Sequence, residues 1–143
     1  MMGKLILLVL MLLLTWDAAW WVMGVPPRFP WQLRSARQAA PARLVLLDVR
    51  TAVEYRWFHL PGAVNLPWPW PNDGKLPPVD PDQEVVVICL TGHRSPLVAY
   101  ALKKRGCTHV SHLTGGMVGW KIYAWLARQP LEGEPPAGRG SGQ

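Results

Sequence analysis

Apolar positions fall into two kinds of run along this chain. Residues 5–14 are apolar without interruption, and after Thr15, Trp16 and Asp17 the apolar character resumes over 18–25. A helix made from such a run has no polar face, so it belongs in lipid or in a core. Further on, the runs shorten. Leu-Val-Leu-Leu at 44–47 and Val-Val-Val-Ile at 85–88 read as strands buried on both faces, with brief strands at 63–66 and 109–111. Helical signals fill the gaps between them. Residues 31–40 predict a short helix ended by Pro41. Thr51 stands three residues before Glu54, the spacing of a capping box. Ser95 as N-cap, Pro96 at the first helical position and Gly106 as the stop frame a helix whose apolar face carries Leu97, Val98, Ala101 and Leu102. Gly115-Gly116 opens a last helix over 117–127.

Strands alternating with helices predict an α/β domain: a mainly parallel central sheet between two helical layers, preceded by a hydrophobic N-terminal helix. The expected organisation is an anchor or signal segment at 1–25, a linker and short helix at 26–41, the domain proper at 42–128 and a disordered tail at 129–143. Residues 67–81 hold six prolines together with Trp68 and Trp70, and no periodicity survives there. The two tryptophans are candidates for the rim of an acceptor site or for covering the core edge.

Composition narrows the function classes. The chain has 143 residues, enough for one domain of about a hundred. The net charge of +6 is scattered. Its one basic triplet, Lys103-Lys104-Arg105, falls at a helix C-terminus, where it complements the dipole. With no interleaved aromatics for base stacking, nucleic acid is not an expected partner. Two cysteines are too few for a disulfide framework, and the four histidines show no zinc-site spacing, so no metal is expected.

The N-terminal run supports two readings, a signal peptide or a membrane helix over residues 5–25. Asp17 lies inside the second. On insertion scales it costs about 3 kcal/mol against about 3–6 returned by ten Leu-like residues, so insertion survives it. One Lys precedes the run while Arg28, Arg34, Arg37 and Arg43 follow, which favours an uncleaved anchor with the domain in the cytoplasm. A periplasmic or secreted domain after cleavage is the alternative. A reducing compartment also suits a free thiol.

The candidate chemistry sits at Cys89. A strand delivers this cysteine to a tight turn, Arg94 follows five positions later, and a helix begins at Ser95-Pro96. Ligands of parallel sheets bind beyond the carboxyl ends of the strands. Asp48 and Arg50 reach another such end, two residues apart and therefore on one face. Cys107, after Gly106 in a connection, reads as a small apolar filler.

These residues resemble the rhodanese-like domain family. The matching blocks are Asp48-Val-Arg50, Glu54-Tyr55, His59-Leu-Pro61-Gly62-Ala63-Val-Asn65, Cys89-Leu-Thr-Gly-His-Arg94-Ser95 and Leu113-Thr-Gly115-Gly116-Met-Val-Gly-Trp120, in order over 42–128. The resemblance implies a rhodanese-like three-layer α/β/α fold. It also implies a sulfurtransferase whose cysteine carries a persulfide from a small donor such as thiosulfate to a cyanide, thiol or protein acceptor. No cofactor is expected, because the intermediate is covalent.

The residues suit that chemistry. Backbone amides of Leu90, Thr91, Gly92, His93, Arg94 and Ser95 would curl round an anionic sulfur, with Arg94 and the helix start adding positive charge. Gly92 relieves the curl, while Leu90, Thr91 and His93 point outward. Cys89 and Arg94 bracket four residues, a ring sized for one sulfur atom. The related phosphatases and arsenate reductases bracket five. Asp48 and Arg50 are expected to form a supporting ion pair, and Glu54 and His59 to act as scaffold. Phe58 stands where the family commonly has glycine before that histidine. The alternatives are a non-catalytic interaction or regulatory module and, more remotely, a phosphatase or arsenate reductase.

Overall fold

The computed structural model describes residues 1–69, 79–80 and 82–128. Its centre is a five-stranded parallel sheet. The strands are β1 (Pro27–Arg28), β2 (Leu44–Asp48), β3 (Val64–Asn65), β4 (Glu84–Ile88) and β5 (Val110–Leu113), arranged in the order β1-β5-β4-β2-β3. The two apolar runs seen in the sequence lie side by side. β2 pairs with β4 from Leu44↔Glu84 to Asp48↔Ile88, so Asp48 and Cys89 leave the sheet at the same edge. The helices are α1 (Met2–Val22), α2 (Pro30–Ala39), α3 (Ala52–Trp57), α4 (Ser95–Lys104) and α5 (Gly116–Leu126).

Alternation along each strand builds two cores. Val85, Val87 and Cys89 face Val98, Ala99 and Leu102 of α4. Val86 and Ile88 face Leu33 of α2 and Met117 and Trp120 of α5. A continuous apolar run is what a strand covered on both sides requires. The expected α/β/α layering is therefore present, with every strand pair parallel.

Three local expectations need correction. The stretch 26–41, read as linker and helix, belongs to the domain. β1 pairs with β5 through Pro27↔His112, and Leu33 of α2 is fully buried. Prolines mark an edge strand here because an edge residue can face away from the ladder. The N-cap of α4 is Arg94, one residue before the expected Ser95. Ser95 has turned inward to the cysteine instead. Val25, expected inside the membrane segment, is fully buried in the core of the domain. Positions 70–78, 81 and 129–143, which include Trp70 and the expected disordered tail, lie outside the described residues.

By length and composition α1 is able to cross a membrane, and it stands near the N-terminus, where signal sequences pass the same test. Its two ends differ. Side chains over 5–14 are exposed, whereas Trp20 is 8 % exposed and packs in the core with Val87 and Val98. Asp17 faces the domain, 3.8 Å from the fully buried His112.

Among the described residues His112 has no hydrogen-bond partner at either ring nitrogen, and burial pushes its pKa down from 6.5 to about 4. The unfolded chain therefore binds the extra proton between those values. The stability this group confers is complete above about pH 6.5 and is lost as pH falls towards 4, by about 3 kcal/mol in total. Urea melts of the protein in detergent at pH 7.5 and 4.5 should show that loss. His112→Leu should remove most of the difference between the two melts.

Candidate active site

β4 ends at Ile88, and Cys89 is the next residue, fully buried at the carboxyl edge of the sheet. The Gly92 amide donates to Cys89 Sγ at 3.1 Å, and the thiol lies 3.4 Å from Ser95 Oγ. The chain reverses here because Gly92 takes φ +86°, where any Cβ would also lie 2.8 Å from the Gly115 nitrogen. Leu90, Thr91 and His93 are exposed and Gly92 and Ser95 buried, the pattern expected of a loop curled round its cysteine. His93 Nδ1 lies 3.1 Å from Thr91 Oγ1, so the outward residues also contact one another.

The loop rests on a support that the sequence does not announce. The amide of Met117 donates to the Cys89 carbonyl at 2.9 Å, and that of Val118 to the Leu90 carbonyl at 3.0 Å. Two free amides in the first turn of α5 thus satisfy the carbonyls of the cysteine loop. Gly116 has φ +55°, and a Cβ there would fall 2.4 Å from the Cys89 oxygen. The glycine pair was legible as a helix start. That Gly116 must lack a Cβ for the loop to lie against it was not.

Arg94 does not point freely at the sulfur. Its guanidinium is held by Glu54 Oε1 at 3.1 Å, and Glu54 in turn accepts from the Thr51 amide and hydroxyl at 2.8 Å each. Burial alone would raise the Glu54 carboxyl. The Thr51 bonds and Arg94 outweigh it and hold the group below its ordinary value. The capping box of α3 therefore also fixes the cation of the cysteine loop. Sequence reading found the box and placed Glu54 in the scaffold, but nothing in the spacing tied it to a residue forty positions away.

Asp48 and Arg50 form the expected pair. They are 0 % and 3 % exposed, and Arg50 NH2 meets Asp48 Oδ2 at 2.7 Å while Nε meets Oδ1 at 3.0 Å. Arg50 also donates to the Phe58 carbonyl, and Asn65 to the carbonyls of Asp48 and Arg50. The pair fastens the ends of β2 and β3 to the turn after α3. Phe58 adopts an extended backbone and packs on the second core, so the turn accommodates a side chain where the family commonly has glycine. His59 Nδ1 donates to the Tyr55 carbonyl at 2.9 Å, and the ring stacks on Tyr55. It supports α3 and makes no bond to the cysteine loop. Both cysteines are free, and Cys107 packs against the first core as a filler would. Trp68 is partly exposed, its amide bonded to the Val49 carbonyl. An open cleft of about 720 Å³ lies at the opposite edge of the sheet, lined by Arg28, Arg43, Glu84 and His109, away from this chemistry.

Comparison with known proteins agrees with this architecture. The rhodanese-like domain family matches residues 32–123, well over half of the chain. The chain belongs to that family.

Among curated relatives, the Mycobacterium tuberculosis protein named "Probable adenylyltransferase/sulfurtransferase MoeZ" is 39 % identical over 79 residues, which are 54 % of this chain and 20 % of that protein. The Saccharomyces cerevisiae "Adenylyltransferase and sulfurtransferase UBA4" is 35 % identical over 85 residues, 52 % of this chain and 19 % of the relative. The chain thus spans about a fifth of the length of each. A solved thiosulfate sulfurtransferase from Pseudomonas aeruginosa superposes with TM-score 0.61 at 25 % identity, covering 82 % of this chain and 22 % of that one. The rhodanese-like domain here is a sulfurtransferase relative in sequence and in fold.

Two substitutions probe the support of the rhodanese-like site. Gly116→Ala should push the loop off the first turn of α5 and so speed iodoacetamide alkylation of the buried Cys89, measured by peptide mass spectrometry. Glu54→Gln should leave the fold intact and cost roughly two- to fivefold in loading rate, the worth of a partly exposed ion pair. Breaking the buried pair is different in kind. Asp48→Asn should cost about 3–5 kcal/mol in a urea melt, because it leaves a guanidinium buried and unpaired.

Proposed function

We propose that this chain is a sulfurtransferase that carries sulfane sulfur as a persulfide on Cys89 and is held at a membrane by α1. The observation that supports this reading most is the short ring itself: a buried thiol receiving the Gly92 amide, separated by four residues from an arginine already neutralised by Glu54. A cage with one buried amide on sulfur and its cation tied back suits a single anionic sulfur atom. A tetrahedral oxyanion asks for more free donors. Relatives named as sulfurtransferases support the same class.

The steps balance with no redox partner. The Cys89 thiolate attacks the outer sulfur of a donor such as thiosulfate. The donor's S–S bond breaks, and sulfite leaves with its electron pair. The new terminal sulfur is anionic and takes the place offered by the Gly92 amide and the amino end of α4. An acceptor thiolate, or cyanide, then attacks that sulfur, and the Cys89 thiolate is the leaving group. No proton transfer is needed at either step, which leaves His93 as an exposed rim residue bonded to Thr91.

Membrane attachment rests on the exposed apolar side chains over 5–14, which no part of the domain covers. With the end of α1 packed on the domain, cleavage after Gly24 would remove Trp20 from the first core. The reading is therefore an uncleaved anchor, with the arginine bias placing the domain in the cytoplasm.

Incubation with thiosulfate should add one sulfur atom to the Cys89 peptide. Cyanide should then release thiocyanate, and Cys89→Ser should abolish both. Absence of added sulfur on the intact protein would point to the interaction-module alternative, and turnover of an aryl phosphate to the phosphatase alternative.

A further inference from the structure

We propose that Trp16 and Asp17, in the last turns of α1, are positioning residues of the Cys89 loop, which makes the apolar helix a retained wall of the site as well as an attachment. The inference deepens the sulfur-carrier reading and, as to which sulfur chemistry the loop performs, rests on it. Two routes lead from α1 to the loop. The first is direct: the Trp16 ring lies 5.6 Å from the His93 ring, tilted by 43°, and His93 is itself bonded to Thr91. Two of the three outward loop residues, His93 and through it Thr91, are thus braced from α1.

The second route runs through the end of β5. Asp17 Oδ1 is 3.8 Å from His112 Nε2, and its carboxylate also faces the Thr114 hydroxyl. His112 is fully buried, and neither its nitrogens nor the Thr114 hydroxyl makes a hydrogen bond among the described residues, so the Asp17 carboxylate is the polar group that faces them. A carboxylate in an otherwise apolar helix is thus set against the buried polar groups of this face that lack bonds. Thr114 leads straight into Gly115-Gly116, the turn on which the Cys89 loop rests by backbone contact. Trp20, beside Tyr100 in the core that includes Cys89, keeps the helix end seated. The aspartate that looked like a cost of insertion has a partner surface of its own.

The loop covers a fully buried thiol, so the rate at which Cys89 meets a reagent reports loop opening without assuming sulfur transfer. The full-length chain in detergent is compared as wild type, Trp16→Ala, Trp16→Phe and Asp17→Ala. The readouts are peptide-resolved iodoacetamide alkylation of Cys89, hydrogen exchange of the amides at 90–95 and 114–118, and steady-state thiosulfate–cyanide kinetics. Trp16→Ala should raise alkylation about three- to tenfold. It should also raise KM more than it lowers kcat, with Trp16→Phe restoring both, because Trp16 lies on the rim and not on the sulfur. Asp17→Ala should speed exchange at 114–118 and at 90–92 while exchange in β2 stays as in wild type. If alkylation and exchange at the loop are unchanged in every variant, α1 is an attachment only and the proposal is overturned. If they respond as described while wild type transfers no sulfur, the positioning stands and the sulfurtransferase reading falls.

Discussion

Everything at this site depends on how closely two backbones approach. The loop that carries Cys89 lies directly on the turn that starts α5, with no side chain between them. Gly92 presses on Gly115, and Gly116 presses on the carbonyls of Cys89 and Leu90. Two amides of the first turn of α5 bond those carbonyls. A hydrogen bond of this kind is worth little net, but leaving such carbonyls buried and unpaired costs more. The arrangement therefore holds the loop in one shape without spending a side chain on it. The thiol and the Gly92 amide then meet inside the loop, 3.1 Å apart. The arginine that closes the ring is held from outside by a helix cap.

Much of this was legible in the sequence, for identifiable reasons. β2 and β4 announce themselves because strands covered on both faces must be apolar at every position. Thr51 and Glu54 announce a helix start because few residue pairs satisfy free amides at that spacing. The cysteine and its loop stand out because a strand, a tight turn and a helix start come together within ten residues. Less visible was anything that joins distant positions. Glu54 to Arg94 and Gly116 to Cys89 are contacts between separate crossovers, and local patterns carry no record of a partner. The edge strand β1 was missed because two residues leave no period to detect, and prolines argue against a ladder until one sees that the ladder ends there.

The N-terminal helix is the instructive case. Its composition suggests lipid and its interrupting aspartate a cost of insertion, but the two parts of the helix have different surroundings. Over 5–14 the side chains are exposed, while Asp17 and Trp20 in the last turns face the domain, beside a histidine that burial keeps neutral. Hydropathy averages the two halves and cannot separate them. A polar residue within an apolar run marks the point where the helix changes its surroundings.

The proposed sulfur carriage requires the loop round Cys89 to enclose one sulfur atom. Diffraction from crystals soaked in thiosulfate, with anomalous data collected for sulfur, tests it most directly. One additional sulfur is expected, bonded to Cys89 Sγ and enclosed by the amides of 90–95, with Arg94 still bonded to Glu54 and the Gly115-Gly116 turn unmoved. An intact oxyanion bound in the loop with Cys89 unmodified, or a persulfide turned outward with the loop opened from α5, would contradict it.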